Sequence, residues 1–551
     1  MQKPYLIGID FGTLSGRCIL VDARDGRELA ESVSEYAHGV MDERLPCGKP
    51  LPAQYALQHP QDYLDVLSST IPDVLQKAGA SPEEVAGIGF DFTACTWMPV
   101  DADGTPLCFH ERFAAEPHAY VKLWKHHAAQ PQADRINRLA AERGEDWLPV
   151  YGSKISSEWA LPKILEILEE APAVFEATGR FTEAADWLSR VLTGNETHSA
   201  PFAGYKALWR AGIGYPGDDF FTALHPGLHG LVGTRLSERV CGMDQTAGVL
   251  NRTGATLTGL PEGTPLALPQ IDGHAAMPAL GIVGEGELMM IMGTSSCHII
   301  NNRSERLVPG ICGYVRDGVI PGYATYEAGQ SGVGDIFDWC VTHQVPGRDT
   351  EEAARRGISI HKLLRERAMS LRPGQSGLLA LDWLNGNRNV LMNADLSGML
   401  LGLTLNTRPE EIYRAWIEAT AYGTRIILEN FEQNGVPIHS IVAGGGIAQK
   451  DEMTMQIYAD VTGRELRVAG AVQAAALGSA MYAAVAAGVF PNLQEAAQRL
   501  SRPSPRTYRP IPAHHTVYNR LYQEYKQLHD YFGRGGNNVM LTLRELSRTN
   551  G

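Results

Sequence analysis

No Cys-x-x-Cys pair occurs among the eight cysteines (Cys18, Cys47, Cys95, Cys108, Cys241, Cys297, Cys312 and Cys340). Their scatter argues against a disulfide framework or a zinc ribbon and predicts reduced thiols in a cytosolic protein. Positive charge is also in short supply: 48 Lys+Arg stand against 62 Asp+Glu, a formal net charge of −14. That sign does not suit a protein that coats nucleic acid or an anionic membrane, since both select for Lys and Arg. Long runs of Leu, Ile and Phe are missing. The longest uncharged stretch, Val468 to Gln494, is mostly Ala and Gly, with Gln473, Ser479 and Pro491 inside it. It predicts a small-residue helix packed against another element rather than a membrane span. The N-terminal apolar run is broken by Asp10, which predicts a buried strand and not a secretory leader. Two nucleotide signatures are absent. There is no Gly-x-x-x-x-Gly-Lys-Ser/Thr, which excludes a P-loop NTPase, and no Gly-x-Gly-x-x-Gly after a strand, which counts against a dinucleotide enzyme.

At about 100–200 residues per domain, a chain of 551 residues predicts several structural units. A 44% hydrophobic content supplies a sizeable core, and 58 glycines point to many turns and close backbone approaches. Tyr5 to Asp22 reads as a hairpin turning at Gly12-Thr13-Leu14-Ser15-Gly16. The pattern returns about half a chain later: Leu288 to Met292, a Gly293-Thr294-Ser295-Ser296 turn, then Cys297 to Ile300. Two hairpins of matching chemistry predict related lobes. Between them, Ile88 to Phe92 reads as a strand ending in the loop Asp91 to Thr96, and Ser156 to Glu170 as a helix. Downstream, Thr407 with Glu410 predicts a capping box, followed by a helix that ends at Asn434-Gly435. Ser440 to Ala443 reads as a strand, Gly444-Gly445-Gly446 as a turn, and Lys450 to Val461 as a helix. Alternating strands and helices make the class α/β.

Two places carry chemistry in their own right. Asp10 ends a buried strand beside a Gly/Thr/Ser turn, where backbone amides cradle phosphate oxygens and a carboxylate holds Mg²⁺ through water. The plainer alternative is an Asp that hydrogen-bonds its own turn. The triple glycine at 444–446 is either a tight strand-to-helix turn or a place where a nucleotide lies against bare backbone.

Ten segments together resemble the FGGY carbohydrate kinases, within the actin, hexokinase and heat-shock ATPase fold. They are DFGTLSGR from Asp10, GFDFTACTWMPVDADGTPL from Gly89, LWKHHA from Leu123, SSEWALPKIL from Ser156 and GYKALW from Gly204. The others are TGLPEGTPLALPQIDGHAA from Thr258, MGTSSC from Met292, YEAGQSGVGDIFDW from Tyr326, LDWLNGNR from Leu381 and AGGGIAQKDEMTMQIYADVTG from Ala443. They run in family order over about residues 5–490. The resemblance implies an α/β two-lobe actin/hexokinase-like ATPase fold, with ribonuclease H-like duplicated domains and a cleft between them. It places a sugar-binding lobe at 1–283 and a nucleotide-binding lobe at 284–551.

The reaction so implied moves the γ-phosphoryl of ATP to a ketopentose, foremost L-ribulose at its 5-hydroxyl. Other ketoses or polyols such as xylulose or glycerol are the alternative acceptors, and an actin- or chaperone-type ATPase is the alternative class. The resemblance assigns the catalytic base to Asp272. Asp244 in Gly242-Met-Asp244-Gln245 is a decoy, because it precedes the Thr258–Pro265 segment that should come before the base. Substrate binding falls to Ala94, Lys206, Asp272 and Glu327. Nucleotide binding falls to Asp10, Thr13, Gly293, Thr294, Gly444 and Gly445, with Asp10 and Asp272 holding Mg²⁺ through water. Trp416 and Gly273 depart from the family pattern. The partners implied are a sugar and ATP in the cytoplasm, with a homodimer as the candidate assembly and neither nucleic acid nor membrane. Residues 210–252 and the tail after about 491 align poorly.

Overall fold

The structure, a computed structural model, describes residues 3–471 and 473–550; residues 1, 2, 472 and 551 lie outside that description. Two sheets of one topology organise the chain. In the first, β1 (Tyr5–Phe11), β2 (Ser15–Asp22), β3 (Glu28–Glu35), β4 (Val85–Phe92) and β5 (Pro265–Ala267) lie in the order β3-β2-β1-β4-β5. In the second, β6 (Glu287–Met292), β7 (Ser296–Asn302), β8 (Ala324–Gln330), β9 (Ser440–Gly444) and β10 (Leu466–Ala469) lie in the order β8-β7-β6-β9-β10. In each, the first three strands are antiparallel neighbours, and the opening strand then pairs in parallel with the fourth. The two hairpins are thus the same corner of a duplicated unit. Their turns close alike: Gly12 N–H donates to Ser15 O at 3.0 Å, and Gly293 N–H to Ser295 O at 2.9 Å.

A third packing unit grows out of the first lobe. Four short strands (Leu57–Gln58, Val121–Lys122, Trp97–Val100 and Arg180–Glu183) form its sheet. Helices α1 (Ala160–Glu170) and α2 (Ala184–Thr193) flank it, and its core includes Trp147, Trp159, Leu165 and Phe220. The helix expected from Ser156 begins at Ala160 instead. Pro162 has no N–H and is tolerated only in a first turn, so four residues are lost from the start. Within the first lobe, α3 (Asp272–Ala279) leaves the short strand Gln270–Ile271, which pairs with β4.

In the second lobe α4 (Pro409–Gln433) starts one residue later than its expected cap. Arg408 is the N-cap, Pro409 fills the first helical position that its fixed φ favours, and the Glu411 carboxylate accepts the Arg408 N–H at 2.8 Å. Thr407 serves the preceding turn, its hydroxyl accepting the Thr404 N–H at 2.9 Å. The helix expected from Lys450 starts earlier and breaks. α5 (Gly445–Lys450) springs directly from the triple glycine, and Asp451 then caps a second segment, Glu452–Thr462, by accepting the Thr454 N–H at 3.1 Å.

The uncharged stretch becomes α6 (Ala474–Ala486), which crosses back to lie between the first sheet and α3. Among the described residues, no helix is long and apolar enough to cross a membrane. Contact is so close that a Cβ on Gly8 would lie 1.9 Å from the Ala476 carbonyl oxygen, and one on Gly89 2.2 Å from that of Ser479. On the other side, a Cβ on Gly478 would lie 1.7 Å from the Ala275 oxygen. The tail also has a place. Pro503–Tyr508 extends the second sheet beside β10, and α7 (Pro512–Gly533) buries Tyr518, Tyr522 and Tyr525 in the second core.

Gly478→Ala therefore lowers stability by about 1–3 kcal/mol in urea denaturation, although Gly→Ala inside a helix ordinarily gains up to about 1 kcal/mol. Gly446→Ala, whose Cβ meets no atom within 4 Å, leaves the midpoint close to wild type.

Candidate active site

Three carboxylates converge at the ends of neighbouring strands. Asp10 on β1 is the register partner of Asp91 on β4. Gln270 pairs with Asp91 on its other side, so Asp272, two residues on, emerges beside them at the head of α3. Asp91 is fully buried; its Oδ2 accepts the Ser479 hydroxyl of α6 at 2.6 Å, and its Oδ1 has no partner among the described residues. Burial, then the charge of Asp10, push Asp91 well above the usual carboxylate range. Burial raises Asp10 as well, opposed by Asp91 and by Arg17. Asp272 is pushed up to about 7, first by burial and then by the Asp10 charge, although its Oδ1 accepts the Gly273 N–H at 2.6 Å. A carboxyl tuned near neutrality is suited to take a proton from a hydroxyl.

Asp91 was not among the site residues expected from the sequence. Its signal was the repeated strand ending, Asp10-Phe11 and Asp91-Phe92, whose phenyl rings stack at 4.3 Å. The rival Asp244 is exposed, in the turn between Cys241 and the edge strand Thr246–Val249. The Gly273 departure is open: a Cβ there would come only to 4.0 Å from Ile299 Cδ1. Trp416 is accommodated too, its indole N–H donating to Gln344 Oε1 at 2.7 Å.

Lys206 and Glu327 belong to different lobes and meet. Lys206 Nζ stands 3.4 Å from both Glu327 oxygens, and each residue is 7% exposed. Burial opposes both charges, yet the neighbouring groups together outweigh it: Lys206 is held above the ordinary lysine value, chiefly by Glu327, and Glu327 well below the usual carboxylate range, by Lys206, His274 and Arg388. His274 Nε2 lies 3.4 Å from Glu327 Oε2, and the Arg388 guanidinium 3.9 Å from Glu327 Oε1. His274, pulled down by burial despite Glu327, is neutral. Neither His274 nor Arg388 was singled out in the sequence, although both lie inside segments carrying the resemblance. Asp272 and His274 head the same helix, and His274 stands beside Glu327, which brings Asp272 close to the Lys206–Glu327 pair.

The two hairpin turns are tied into the rest of the chain by hydrogen bonds. Thr13 Oγ1 accepts the Trp124 indole N–H at 3.2 Å, and its carbonyl accepts the Gln58 amide at 2.8 Å. On the other side, the carbonyls of Gly293 and Thr294 accept the N–H groups of Gly334 (3.0 Å) and Val333 (2.7 Å). The glycines divide by role. Gly445 has φ +89°, and a Cβ on it would lie 2.3 Å from the Met292 oxygen, so the turn itself demands it. A Cβ on Gly444 would lie 2.9 Å from Ile291 Cδ1. Gly293 and Gly446 have no heavy atom within 4 Å of a Cβ, which leaves room against bare backbone. Among the described residues, no group of three or more His, Cys, Asp or Glu side chains could hold a metal ion. A divalent cation here would complete its shell with phosphate oxygens and water.

Comparison with known proteins agrees with this geometry. Residues 5–207 match the N-terminal domain, and residues 288–487 the C-terminal domain, of the FGGY family of carbohydrate kinases. A ribulokinase of Bacillus licheniformis is 53% identical over 538 residues, covering 97% of each chain. One of Geobacillus thermodenitrificans is 50% identical over 554 residues, covering 100% of this chain and 98% of its own. Among solved structures, a xylulose kinase from Rhodospirillum rubrum superposes with a TM-score of 0.79 at 22% identity, covering 95% of this chain and 98% of that one. That likeness shows the fold: two actin/hexokinase-like lobes.

The carboxylate cluster fixes a pH dependence in the ligand-free protein. Unfolded Asp272 ionises near about 3.9, while the native group holds its proton to about 7. The native state therefore loses stability as pH rises from about 4 to 7, with no further loss above that. Asp272→Asn escapes this. Its melting temperature relative to wild type should climb over that window and then level off; a pH-independent difference would contradict the shift.

Proposed function

The chain belongs to the FGGY family of carbohydrate kinases, and on that footing we propose that it phosphorylates ribulose, L-ribulose at its 5-hydroxyl, at the expense of ATP. The carrying observation is the near-neutral Asp272 carboxyl close to the buried Lys206–Glu327 pair. Full-length identity to ribulokinases supports the choice of acceptor. An ATPase without an acceptor has no use for a buried polar pocket in which a cation and an anion are held 3.4 Å apart.

In this reading residues 1–283 bring the sugar and the first phosphate hairpin, and residues 284–551 bring the nucleotide, with α6 returning to brace the first sheet. Asp272 accepts the proton of the attacking hydroxyl and orients its oxygen toward the γ-phosphorus. Lys206 donates to ketose oxygens, Glu327 accepts from hydroxyls, and the small Ala94 side chain leaves room for the sugar. Thr13, Gly293 and Thr294 present hairpin backbone to the phosphates; Gly444 and Gly445 shape the turn over which the nucleotide lies, with Gly446 as its open face. Mg²⁺, which neutralises phosphate charge when bound, fits the carboxylate cluster because Asp10 and Asp272 repel one another with no cation between them. Both would hold it through water. The reading includes a cytoplasmic location, supported by eight free thiols. It also includes a homodimer, for which the exposed Leu401, Leu403 and Leu405 offer an apolar face.

The test is turnover with ribulose, xylulose and glycerol in wild type, Asp272→Asn and Asp244→Asn. Ribulose should be the preferred acceptor, Asp272→Asn should lose about 10²–10⁴-fold in kcat while folding normally, and Asp244→Asn should stay near wild type. Near wild-type turnover in Asp272→Asn overturns the assignment of the base, and preference for another acceptor overturns the substrate.

A further inference from the structure

The loop that carries Ala94 contains a peptide group held from both ends by buried titratable side chains. Lys163 Nζ, on α1, donates to the Cys95 carbonyl oxygen at 2.6 Å. The N–H of the same peptide unit, that of Thr96, donates to Glu183 Oε2 at 2.7 Å, from the end of strand Arg180–Glu183. Lys163 is 1% exposed and Glu183 0%. The two do not pair with each other; each spends its polar end on the peptide. Lys163 also donates to the carbonyls of Leu123 at 3.0 Å and Lys122 at 3.3 Å. Leu123 leads into Trp124, whose indole reaches the Thr13 hydroxyl. One ammonium thus ties the Ala94 loop to the segment that touches the first phosphate turn.

The geometry here is costly, and local stability does not explain it. Cys95 has φ +64°, the left-handed region that a non-glycine residue enters only when its surroundings impose it. Burial pulls Lys163 down to about 8 and pushes Glu183 up to about 8, so Lys163 holds its charge against a desolvation penalty and Glu183 is largely a neutral carboxyl near pH 7. Apolar side chains would fill that space more cheaply. What the arrangement supplies is orientation. A carbonyl fixed by a cation and an N–H fixed by a buried carboxyl oxygen cannot rotate, and the preceding residue, Ala94, is fixed with them. Trp159, the N-cap of the helix that carries Lys163, has the Lys206 ammonium 5.9 Å from its ring centroid, so the clamp and the Lys206–Glu327 pair meet at one helix end.

We propose that Lys163 and Glu183 are positioning residues for the sugar acceptor, clamping the Cys95–Thr96 peptide so that the Ala94 face of the pocket is set before the sugar arrives. The inference rests on the reading that Ala94 lines the sugar site. Neither residue touches substrate; they act through the loop. Misplacing a reacting group by about 1 Å costs up to about 10²-fold, so loosening the loop should fall on the sugar and spare the nucleotide.

The experiment measures kcat and both Michaelis constants in Lys163→Met, Glu183→Gln and Ala94→Val, with L-ribulose varied at saturating Mg-ATP and then the reverse. Ala94→Val tests the underlying reading: it should raise the ribulose KM, and a wild-type value would show that Ala94 does not line the sugar site. Given that rise, Lys163→Met should raise the ribulose KM about 10–100-fold with the ATP KM within about 2-fold. Glu183→Gln, which keeps shape and an acceptor oxygen, should raise it less. Should Lys163→Met fail to fold, Lys163→Arg with Glu183→Gln decides on the same readout. Wild-type Michaelis constants with only a lower melting temperature or active fraction would make the clamp merely structural, and equal rises for ribulose and ATP would place it elsewhere; either result overturns the proposal.

Discussion

Desolvated negative charge at the end of the first sheet is the constraint around which the molecule is built. Asp10, Asp91 and Asp272 come from three separate stretches of chain, and strand pairing alone brings them together. Left to themselves they repel, and burial removes the water that would screen them. The fold answers by division of labour. Asp91 is held well above the usual carboxylate range by burial and anchored by Ser479, while Asp272, braced by the Gly273 N–H, is pushed up to about 7. The anchor comes from α6, a helix of the second half of the chain. Its approach depends on bare glycines at 8, 89 and 478, so lobe packing and carboxylate tuning are one problem.

The acceptor side is balanced differently. Lys206 and Glu327 cancel, and a neutral His274 adds a ring nitrogen without adding charge. With the Arg388 guanidinium 3.9 Å from Glu327, the result is a region dense in donors and acceptors, which suits a polyhydroxyl ligand. Glu327 comes from the second lobe and Lys206 from the first, so the pocket exists only where the lobes meet. The tail contributes from outside the family-matched residues. Tyr525 donates to buried Asp382 at 2.7 Å, and Gln330 holds the other oxygen of that carboxylate at 2.8 Å.

Much of this was legible in the sequence. The paired Gly-Thr hairpins gave away the duplication because a two-fold topology repeats its turn chemistry, and the alternating strands and helices gave the class. The small-residue stretch was readable as a packed helix because Ala and Gly permit close approach. Boundaries were less readable. Pro162 and Pro409 fixed helix starts that polar residues nearby seemed to mark, since a ring without an N–H outranks a side-chain cap. The site was legible only as separate residues. Nothing along the chain says that Lys206 pairs with Glu327, 121 positions away, or that Asp91 rather than a loop polar group stands beside Asp10. The glycines were ambiguous in the same way: Gly445 is demanded by the turn, Gly444 is pressed only by the tip of Ile291, and the open position is Gly446.

The central claim is that the Asp272 carboxylate faces the hydroxyl to be phosphorylated while the nucleotide lies across the second lobe's glycine turns. A crystal structure with L-ribulose and a non-hydrolysable ATP analogue tests it most directly. The account predicts the 5-hydroxyl within hydrogen-bond reach of Asp272, the sugar bounded by Ala94, Lys206 and Glu327, and the γ-phosphate between the Gly12–Thr13 and Gly293–Thr294 turns. A sugar bound away from Asp272, or a nucleotide whose phosphates miss both turns, would contradict it.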